Sequence, residues 1–361
     1  MRIAILSAHN SIHAVRWVNE MAERGHNVFL LTMHAGHEPL HPCVTLVHLP
    51  FRAPIGYFAN AVELRRLLVR FQPDILHVHY AGGYGLLGTL SGFHPRIVSV
   101  WGSDVYTVAN RSPVLRQLVI RTLLTADHVC STSQVMAHQT LQICPELRNL
   151  SVVPFGVDLM RFTPISQSDA SRNTVIGTVK TLHPKYGIDT LLQAFATAAR
   201  ELADSTEIRL SIVGDGPQAS DLRKLASTLR LDEDVFVGSI RHADVPSHLR
   251  TFDIYVALSR EDSESFGVAV IEASACGLPV IVSNVGGFPE VVEHGTTGLI
   301  VPKDDVSAAA EAIVKLVRDP ALRKQMGRAG RARVQQEYNW SDNADCMEHI
   351  YMDTVKRCRL D

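Results

Sequence analysis

Residues 2–32, RIAILSAHNSIHAVRWVNEMAERGHNVFLLT, decide the fold class of this chain. Residues 2–7 form an apolar run of the length of a buried strand, and Val28–Thr32 form a second one. Between them apolar residues recur at helical spacing, and Gly25 ends the predicted helix. A strand, a helix and a strand in this order predict an α/β fold with a parallel sheet covered by helices.

The same alternation continues to the end of the chain and restarts after a polar segment. We predict a first Rossmann-like domain over residues 1–160, a linker over 161–174 and a second such domain over 175–340. A C-terminal helix over 341–361 has an apolar stripe, and we expect it to pack back on the first domain. Two open parallel sheets of this kind are expected to face a cleft at the carboxyl ends of their strands.

Composition narrows the function classes. The chain has 361 residues, 46% of them hydrophobic, and a net charge of −2, which gives no basis for nucleic-acid binding. Its six cysteines include no CxxC pair, as is typical of reduced thiols in an intracellular protein. No apolar run approaches the ~18 residues of a membrane span. We therefore predict a cytoplasmic protein, with peripheral contact to the cytoplasmic face of a membrane left open.

Two lysines follow the first strand of the second domain. Lys180 ends that strand and Lys185 lies in the loop after it. Strand ends of this type carry ligands in open sheets, and two ammonium groups in one loop can neutralise a diphosphate. The competing interpretation is a solvated loop with ordinary surface lysines.

Two acidic residues frame a second candidate in the same domain. Glu264 and Glu272 stand eight positions apart, and the Ser-Phe-Gly turn 265–267 between them opens a helix. Backbone N–H groups at helix starts bind phosphate, and carboxylates accept hydrogen bonds from sugar hydroxyls. A further turn at Gly286 and Gly287 is expected at the same edge. Taken alone, acids at a helix start indicate only a favourable helix dipole.

Weaker signals lie in other strand-end loops. Gly214 follows a strand and permits close backbone approach, and Ile240 and Arg241 lie in a loop that can border a nucleobase. On the first domain, His9, Asn10, His79 and Asp104 lie at strand ends and are candidates for holding an acceptor. No HExxH or comparable spacing occurs, so no metal site is predicted.

Residues 83–88 spell G-x-G-x-x-G, the dinucleotide fingerprint. The motif does not occupy the first strand-to-helix turn of its domain, which is residues 7–11. An NAD-binding enzyme is therefore kept only as a minor alternative.

Taken together and in order, these motifs resemble glycosyltransferase family 4, whose members have the two-domain GT-B fold. The resemblance runs through almost the whole chain, from the segment Val153–Asp158 and the basic pair five positions apart to the Glu-x7-Glu signature. Lys180 departs from the Arg that is usual at its position, and Trp101 stands where many members have His.

The resemblance implies a metal-independent, retaining transfer from a nucleoside diphosphate sugar, with no cofactor besides that co-substrate. It implies that Lys180 and Lys185 neutralise the leaving diphosphate, that Glu264 holds the donor sugar, and that the first domain binds the acceptor. The other donor contacts implied or predicted are Glu272 at the ribose, the backbone of Phe266, Gly267 and Val268, and Gly214, Ile240, Arg241, Gly286 and Gly287.

The leading hypothesis is a hexosyltransferase that builds a cell-surface polysaccharide or glycolipid on a saccharide or lipid-linked acceptor, with UDP ahead of GDP as the carrier. The alternatives are a sugar-phosphate or disaccharide synthase of the same fold and a protein that binds a nucleotide sugar without turnover. A basic face toward anionic lipid is also predicted in the first domain, from Arg65, Arg66, Arg70, Arg111, Arg116 and Arg121.

Overall fold

A computed structural model describes residues 1–164, 173–204 and 206–360. The chain divides into two compact units, the first formed by residues 1–155 with 341–360 and the second by residues 156–340. The predicted linker 161–174 lies largely outside the described residues, because 165–172 belong to the part that is not described.

The described part of the first unit contains one seven-stranded sheet with all neighbours parallel. The strands are β1 Arg2–Leu6, β2 Asn27–Thr32, β3 Thr45–His48, β4 Ile75–His79, β5 Arg96–Val100, β6 His128–Ser131 and β7 Leu150–Val152. Their order in the sheet is β3-β2-β1-β4-β5-β6-β7. The sequence pattern does not predict β3, a half-exposed edge strand of four residues.

Helices connect these strands. They are α1 Ile12–Glu23, α2 Gly56–Ala59, α3 Ala61–Phe71, α4 Gly83–Ser91, α5 Ala109–Arg111, α6 Pro113–Leu124 and α7 Gln134–Ile143, with a π-helical turn at Asp104–Val108. The predicted opening of strand, helix and strand is confirmed, with Ile3 paired to Val28 in register. Residues 3–6 are fully buried, as expected for a strand covered on both faces.

The described part of the second unit contains one six-stranded parallel sheet in the order β10-β9-β8-β11-β12-β13. Its strands are β8 Thr174–Val179, β9 Ile208–Val213, β10 Phe236–Gly238, β11 Ile254–Ala257, β12 Val280–Ser283 and β13 Gly298–Val301. Its helices are α8 Ile188–Leu202, α9 Ala219–Thr228, α10 Val245–Leu249, α11 Val268–Ala275, α12 Phe288–Val291, α13 Val306–Arg318 and α14 Pro320–Glu337, with 3-10 turns at Pro184–Tyr186, Glu233–Val235 and His242–Asp244.

The last helix, α15 (Trp340–Leu360), contributes its residues from Ser341 onward to the first unit. The buried Tyr351 hydroxyl lies 2.6 Å from Nδ1 of His77 on β4. Arg24, at the end of α1, bonds to Asp345 and Glu348 of the helix. A buried hydrogen bond and a charged network thus hold α15 on the first unit.

Both sheets have the strand order of dinucleotide-binding folds. In such sheets the strand order reverses between the first and fourth strands, and ligands bind in the crevice beyond the carboxyl ends of the strands there. The reversal lies between β1 and β4 in the first unit and between β8 and β11 in the second. These two places are where functional side chains are expected.

Candidate active site

The strand reversal of the second unit carries an ion pair. Lys180 follows β8 directly, and Glu264 lies in the loop that follows β11. Nζ of Lys180 is 2.7 Å from Oε2 of Glu264, and Ser259 Oγ donates to the same oxygen at 3.1 Å. The two side chains are only 15% and 14% exposed. Removing either partner would leave a largely buried charge uncompensated.

The Lys180 ammonium stays protonated at neutral pH. Burial lowers its pKa, but the Glu264 carboxylate, helped by the nearby Tyr186 and Tyr255, raises it more, so the pKa of Lys180 lies above its ordinary value. A permanent positive charge at a sheet reversal suits an anionic ligand.

Tyr186 holds both lysines. Nζ of Lys180 lies 4.5 Å from the centroid of the Tyr186 ring, and Nζ of Lys185 lies 4.7 Å from it. The face of an aromatic ring attracts cations within about 6 Å of its centroid. Two like charges that repel each other are therefore held at one ring. Sequence reasoning missed this residue, although its position next to Lys185 was a usable signal.

Arg260 ties the lysine loop to the rest of the unit. Its backbone N–H donates to the Lys185 carbonyl at 2.7 Å. Its guanidinium donates to Asp189 Oδ2 at 2.7 Å and Thr190 Oγ1 at 2.8 Å, and also binds Asp304. The loop that bears Glu264 and the loop that bears Lys185 are thereby fixed to each other through one arginine.

Gly214 permits close packing on the backbone that carries Lys180. It has φ +143°, and a Cβ there would lie 2.0 Å from the Lys180 carbonyl oxygen. Any side chain at this position would have to move the backbone beside the ammonium.

Gly286 and Gly287 likewise permit close packing on the backbone, in this case on the backbone that carries Glu264. A Cβ on Gly286, at φ +48°, would lie 2.3 Å from the Glu264 carbonyl oxygen. The Gly287 N–H donates to that carbonyl at 2.9 Å, and the Gly286 N–H donates to Asp262 Oδ1 at 3.1 Å. Both N–H groups are used within the protein, whereas the sequence pattern suggested that they point toward a ligand. Donor binding by these two glycines stays a prediction.

Glu272 lies one turn into α11 and is 5% exposed. Its Oε1 is 3.2 Å from Nε2 of His242, which belongs to the loop after β10. The imidazole therefore fixes one carboxylate oxygen and leaves the other free to accept. His242 is a second residue that sequence reasoning missed, because nothing in the sequence shows that its loop meets α11.

The start of α11 can receive anionic oxygens. Gly267, at φ +94°, precedes the helix, and the N–H groups of Val270 and Ile271 bond to its carbonyl. The N–H groups before them lie outside the intrahelical pattern, as in any helix start. The Phe266 side chain is 2% exposed and meets the Tyr338 ring edge-on. At Phe266, therefore, the backbone can meet a ligand, whereas the side chain is buried.

Arg241 is exposed, and its guanidinium binds the neighbouring Asp244 with Nε–Oδ2 at 2.9 Å. Ile240 is half-buried. Their assignment to the base of the nucleotide stays a prediction.

The strand reversal of the first unit carries the acceptor candidates His9 and His79. His9 is 7% exposed, with Nε2 at 3.1 Å from the Glu38 carbonyl oxygen. His79 is 1% exposed, with Nδ1 at 3.1 Å from Ser7 Oγ. Nδ1 of His9 and Nε2 of His79 have no hydrogen-bond partner among the described residues. Asn10, next to His9, is exposed.

The His79 imidazole is neutral at physiological pH. Burial, and then the neighbouring His77 and His13, hold the pKa of His79 well below its ordinary value. A neutral imidazole is both a donor and an acceptor, which suits a hydroxyl group.

Asp104, the remaining acceptor candidate, is fully buried and bonds to backbone. Its carboxylate accepts from the N–H groups of Ala81 and Gly102, each at 2.9 Å, and from Trp101 and Val105 at 3.2 Å. Burial raises the pKa of this carboxyl, even though these hydrogen bonds act in the opposite direction. In this structure Asp104 holds together the loops after β4 and β5, and its contact with an acceptor stays a prediction.

The G-x-G-x-x-G motif serves packing. Gly83, Gly85 and Gly88 all lie within α4. A Cβ on Gly85 would be 2.6 Å from Thr122 Cγ2, and one on Gly88 would be 2.8 Å from Val78 Cγ2. Close helix packing thus accounts for these glycines without a dinucleotide.

Among the described residues, no group of three or more His, Cys, Asp or Glu side chains could hold a metal ion. Within residues 1–164, 173–204 and 206–360, every helix is too short or too polar to pass through a bilayer.

The chain is similar to known proteins over most of its length. The family model for "Glycosyl transferases group 1" matches residues 163–333, and that for "Glycosyl transferase 4-like" matches residues 2–133. A GDP-mannose-dependent alpha-(1-6)-phosphatidylinositol monomannoside mannosyltransferase of Mycobacterium tuberculosis is 31% identical, covering 77% of this chain and 76% of that protein. The chain belongs to glycosyltransferase family 4. The predicted family and enzyme class are confirmed.

Other family 4 enzymes and solved structures resemble the whole chain. The N-acetyl-alpha-D-glucosaminyl L-malate synthase of Bacillus anthracis is 26% identical, covering 93% of this chain and 92% of that enzyme. A sucrose-phosphate synthase from Thermosynechococcus elongatus superposes with a TM-score of 0.82 at 23% identity, covering 98% of each chain. Anabaena HepE, solved with UDP and glucose, superposes at 0.80 with 18% identity, covering 97% and 99%. These likenesses confirm the predicted GT-B fold.

Proposed function

We propose that this glycosyltransferase moves a hexose from a nucleoside diphosphate sugar to a saccharide or lipid-linked acceptor, with retention at the anomeric carbon, in the synthesis of a cell-surface polysaccharide or glycolipid. The observation that carries the proposal is the pair Lys180–Glu264 at the strand reversal, with Lys185 held beside it on Tyr186.

The two ammonium groups would bind the diphosphate. Lys180 is compensated by Glu264 and needs no other partner to stay charged. Lys185 is held on the Tyr186 ring beside Lys180, so its ammonium is already placed for phosphate and keeps the ring contact when phosphate binds. As the bond between the anomeric carbon and the β-phosphate oxygen breaks, both ammoniums stabilise the negative charge that collects on the leaving group.

The two carboxylates would hold the ends of the donor. Glu264 accepts hydrogen bonds from hydroxyls of the sugar, and Glu272 accepts from the ribose with its second oxygen fixed by His242. The acceptor hydroxyl attacks the anomeric carbon, and its proton passes to the departing phosphate oxygen on the same face. The proposed scheme uses no metal ion.

The two candidates for the nucleobase of the donor are uracil and guanine. Sequence reasoning put UDP ahead of GDP, whereas the name of the M. tuberculosis relative specifies GDP-mannose. Titrations with UDP, GDP, ADP and NAD, followed by hydrolysis assays of the matching sugar donors, decide this point. Binding of NAD alone would overturn the proposal.

The acceptor separates two candidates within the family. The M. tuberculosis relative is named for a phosphatidylinositol glycolipid, and the B. anthracis relative for L-malate, a small soluble acceptor. We favour a lipid-linked or saccharide acceptor and propose that the enzyme works on a membrane surface.

The Glu264→Gln variant tests the site. It keeps the shape and the hydrogen bond from Ser259 but removes the charge beside Lys180. Transfer should be lost while nucleoside diphosphate binding survives. The matched control is Glu261→Gln, an exposed acid of the same loop whose Oε2 accepts from the nearby Ser263 hydroxyl at 3.0 Å, and it should retain activity. Unchanged turnover in the Glu264→Gln enzyme would refute the assignment and favour a different site.

A further inference from the structure

An unusual surface lies on α2, α3 and the turn before them in the first unit. Within residues 51–70, all of which are described, every exposed residue is either apolar or arginine. The large apolar side chains are Phe51 at 51% exposure, Ile55 at 72%, Phe58 at 59%, Val62 at 57% and Val69 at 76%. The exposed arginines are Arg52, Arg65, Arg66 and Arg70. These nine side chains are called the 51–70 surface below.

The outward apolar residues are not needed for the core. The inner face of α3 already buries Leu64, Leu67 and Leu68. Val62 and Val69 lie on another face of the same helix and remain in solvent. A helix with a second apolar face exposes surface that folding alone does not explain, and such patches mark interaction sites.

The turn that presents Ile55 and Phe58 is fixed. The buried Asn60 side chain accepts from the Phe51 N–H at 3.0 Å and donates to its carbonyl at 2.8 Å. Gly56 is buried so closely that a Cβ would lie 2.2 Å from the same carbonyl oxygen. The backbone that carries the apolar side chains is therefore fixed, and only the side chains themselves remain to be ordered on binding.

This surface adjoins the edge of the sheet that carries the acceptor candidates. The Tyr57 ring packs against Gly83 at the start of α4, where a Cβ would lie 2.4 Å from it, and meets the Tyr84 ring edge-on at 5.6 Å. Tyr84 in turn bonds to the Met33 N–H just after β2. A partner that covers the α2 end of the 51–70 surface would thus lie at the carboxyl edge of the sheet.

We infer that the 51–70 surface docks the enzyme on a membrane that contains anionic lipid. Apolar side chains that enter the interface and arginines that meet anionic headgroups are the two contributions that hold peripheral helices on a bilayer. The only acid within 51–70, Glu63, has a side chain 37% exposed and pairs with Arg66 at 3.5 Å, so the four exposed arginines outweigh it toward such lipids. A symmetric contact between two copies of this surface would bring arginine toward arginine, which disfavours self-association.

The inference rests on the proposed function in one respect, since a lipid-linked acceptor gives docking its purpose. The docking itself is measured without turnover. The full chain is sedimented with two kinds of phosphatidylcholine vesicle. One kind contains no anionic lipid, and the other contains about 30 mol% phosphatidylglycerol, which gives roughly the charge density of an anionic leaflet. Binding should appear with the anionic vesicles and should weaken as salt increases, because exposed charges are screened.

Two variants separate the contributions. Ile55→Gln with Phe58→Gln should reduce vesicle binding at least about tenfold at every salt concentration, given the apolar area that both residues expose. Arg66→Gln with Arg70→Gln should reduce binding at low salt and flatten its salt dependence. Met160→Gln, which replaces an 88% exposed residue of the second unit, is the matched control and should bind as the parent chain does.

Three outcomes would overturn the docking proposal: a parent chain that ignores anionic vesicles at low salt, an Ile55→Gln/Phe58→Gln chain that binds them as well as the parent, or a concentration-dependent dimer that this variant abolishes. Nucleoside diphosphate titrations of the same variants report on folding and on the donor site. If the parent chain binds vesicles but binds no nucleoside diphosphate, the proposed function alone is refuted and the docking proposal stands.

Discussion

Removing the Tyr186 ring should weaken the binding of a nucleoside diphosphate, whereas removing only its hydroxyl should not. In the Tyr186→Leu variant the ammoniums of Lys180 and Lys185 lose the ring that lies 4.5 and 4.7 Å from them. Lys180 keeps Glu264 as a partner, so the larger displacement is expected at Lys185. The Tyr186→Phe variant keeps the ring and its attraction for both cations.

The structure sets the size of the effect. A cation on a ring contributes about 0.5–1 kcal/mol at an exposed site and about 2 kcal/mol when desolvated. Losing the half-buried Lys185 contact alone corresponds to roughly a two- to fivefold loss of affinity, and losing both contacts to roughly a hundredfold loss. Tyr186→Leu should fall between these limits, and Tyr186→Phe should stay within about twofold of the parent.

The assay is calorimetric titration of the parent, Tyr186→Leu and Tyr186→Phe enzymes with UDP and with GDP at one fixed ionic strength. Unchanged affinity in Tyr186→Leu would show that the ring does not prepare the diphosphate site. Equal losses in Tyr186→Leu and Tyr186→Phe would show that the hydroxyl, and not the ring face, is what the site uses.

Two more predictions follow from burial and close contact. Gly214→Ala should reduce nucleoside diphosphate affinity at least about tenfold, because its Cβ would collide with the Lys180 carbonyl; Gly295→Ala, also at positive φ but with no atom within 4 Å of its Cβ, controls for backbone strain and should bind normally in the same titration. Burial lowers the pKa of His77 to about 3, so below pH ~6.5 the unfolded chain takes up a proton that the folded unit excludes. The free energy of unfolding of the first unit should therefore fall with decreasing pH, by up to about 1.4 kcal/mol per pH unit for this histidine, and His77→Gln should reduce that slope in urea titrations between pH 7 and 4. An unaltered slope would contradict the assignment of that proton to His77.

The class of the fold follows from the sequence because local signals repeat. Buried strands such as residues 2–7 read as continuous apolar runs, and glycines such as Gly25 end the helices between them. The edge strand β3 lacks such a run, since an edge strand buries only part of its surface. Its four residues therefore give no pattern that separates them from a loop.

The sequence predicts only part of the site, because residues far apart in the chain meet there through the strand order of the sheet. Lys180 and Glu264 are separate signals in the chain, and they meet at 2.7 Å because β8 and β11 are neighbours at the strand reversal. His242 reaches Glu272 in the same way, from a loop that no local pattern connects with α11. Glycine at positions 286 and 287 indicates freedom of the backbone, but not that the freedom serves contact with the Glu264 loop.

The first unit places its acceptor candidates at the matching reversal, and their chemistry narrows what they can hold. The Asp104 carboxylate accepts from four backbone N–H groups, so its hydrogen-bonding capacity is largely used by the fold. His9 and His79 instead retain buried ring nitrogens without partners among the described residues, and such atoms are costly unless something binds them. Because His79 is neutral, it supplies no positive charge here, and the partner that suits it without a further cation is an uncharged hydrogen-bonding group. A hydroxyl of a saccharide or of a glycolipid headgroup meets that requirement, whereas a phosphate or carboxylate at this point would need a cation beside it.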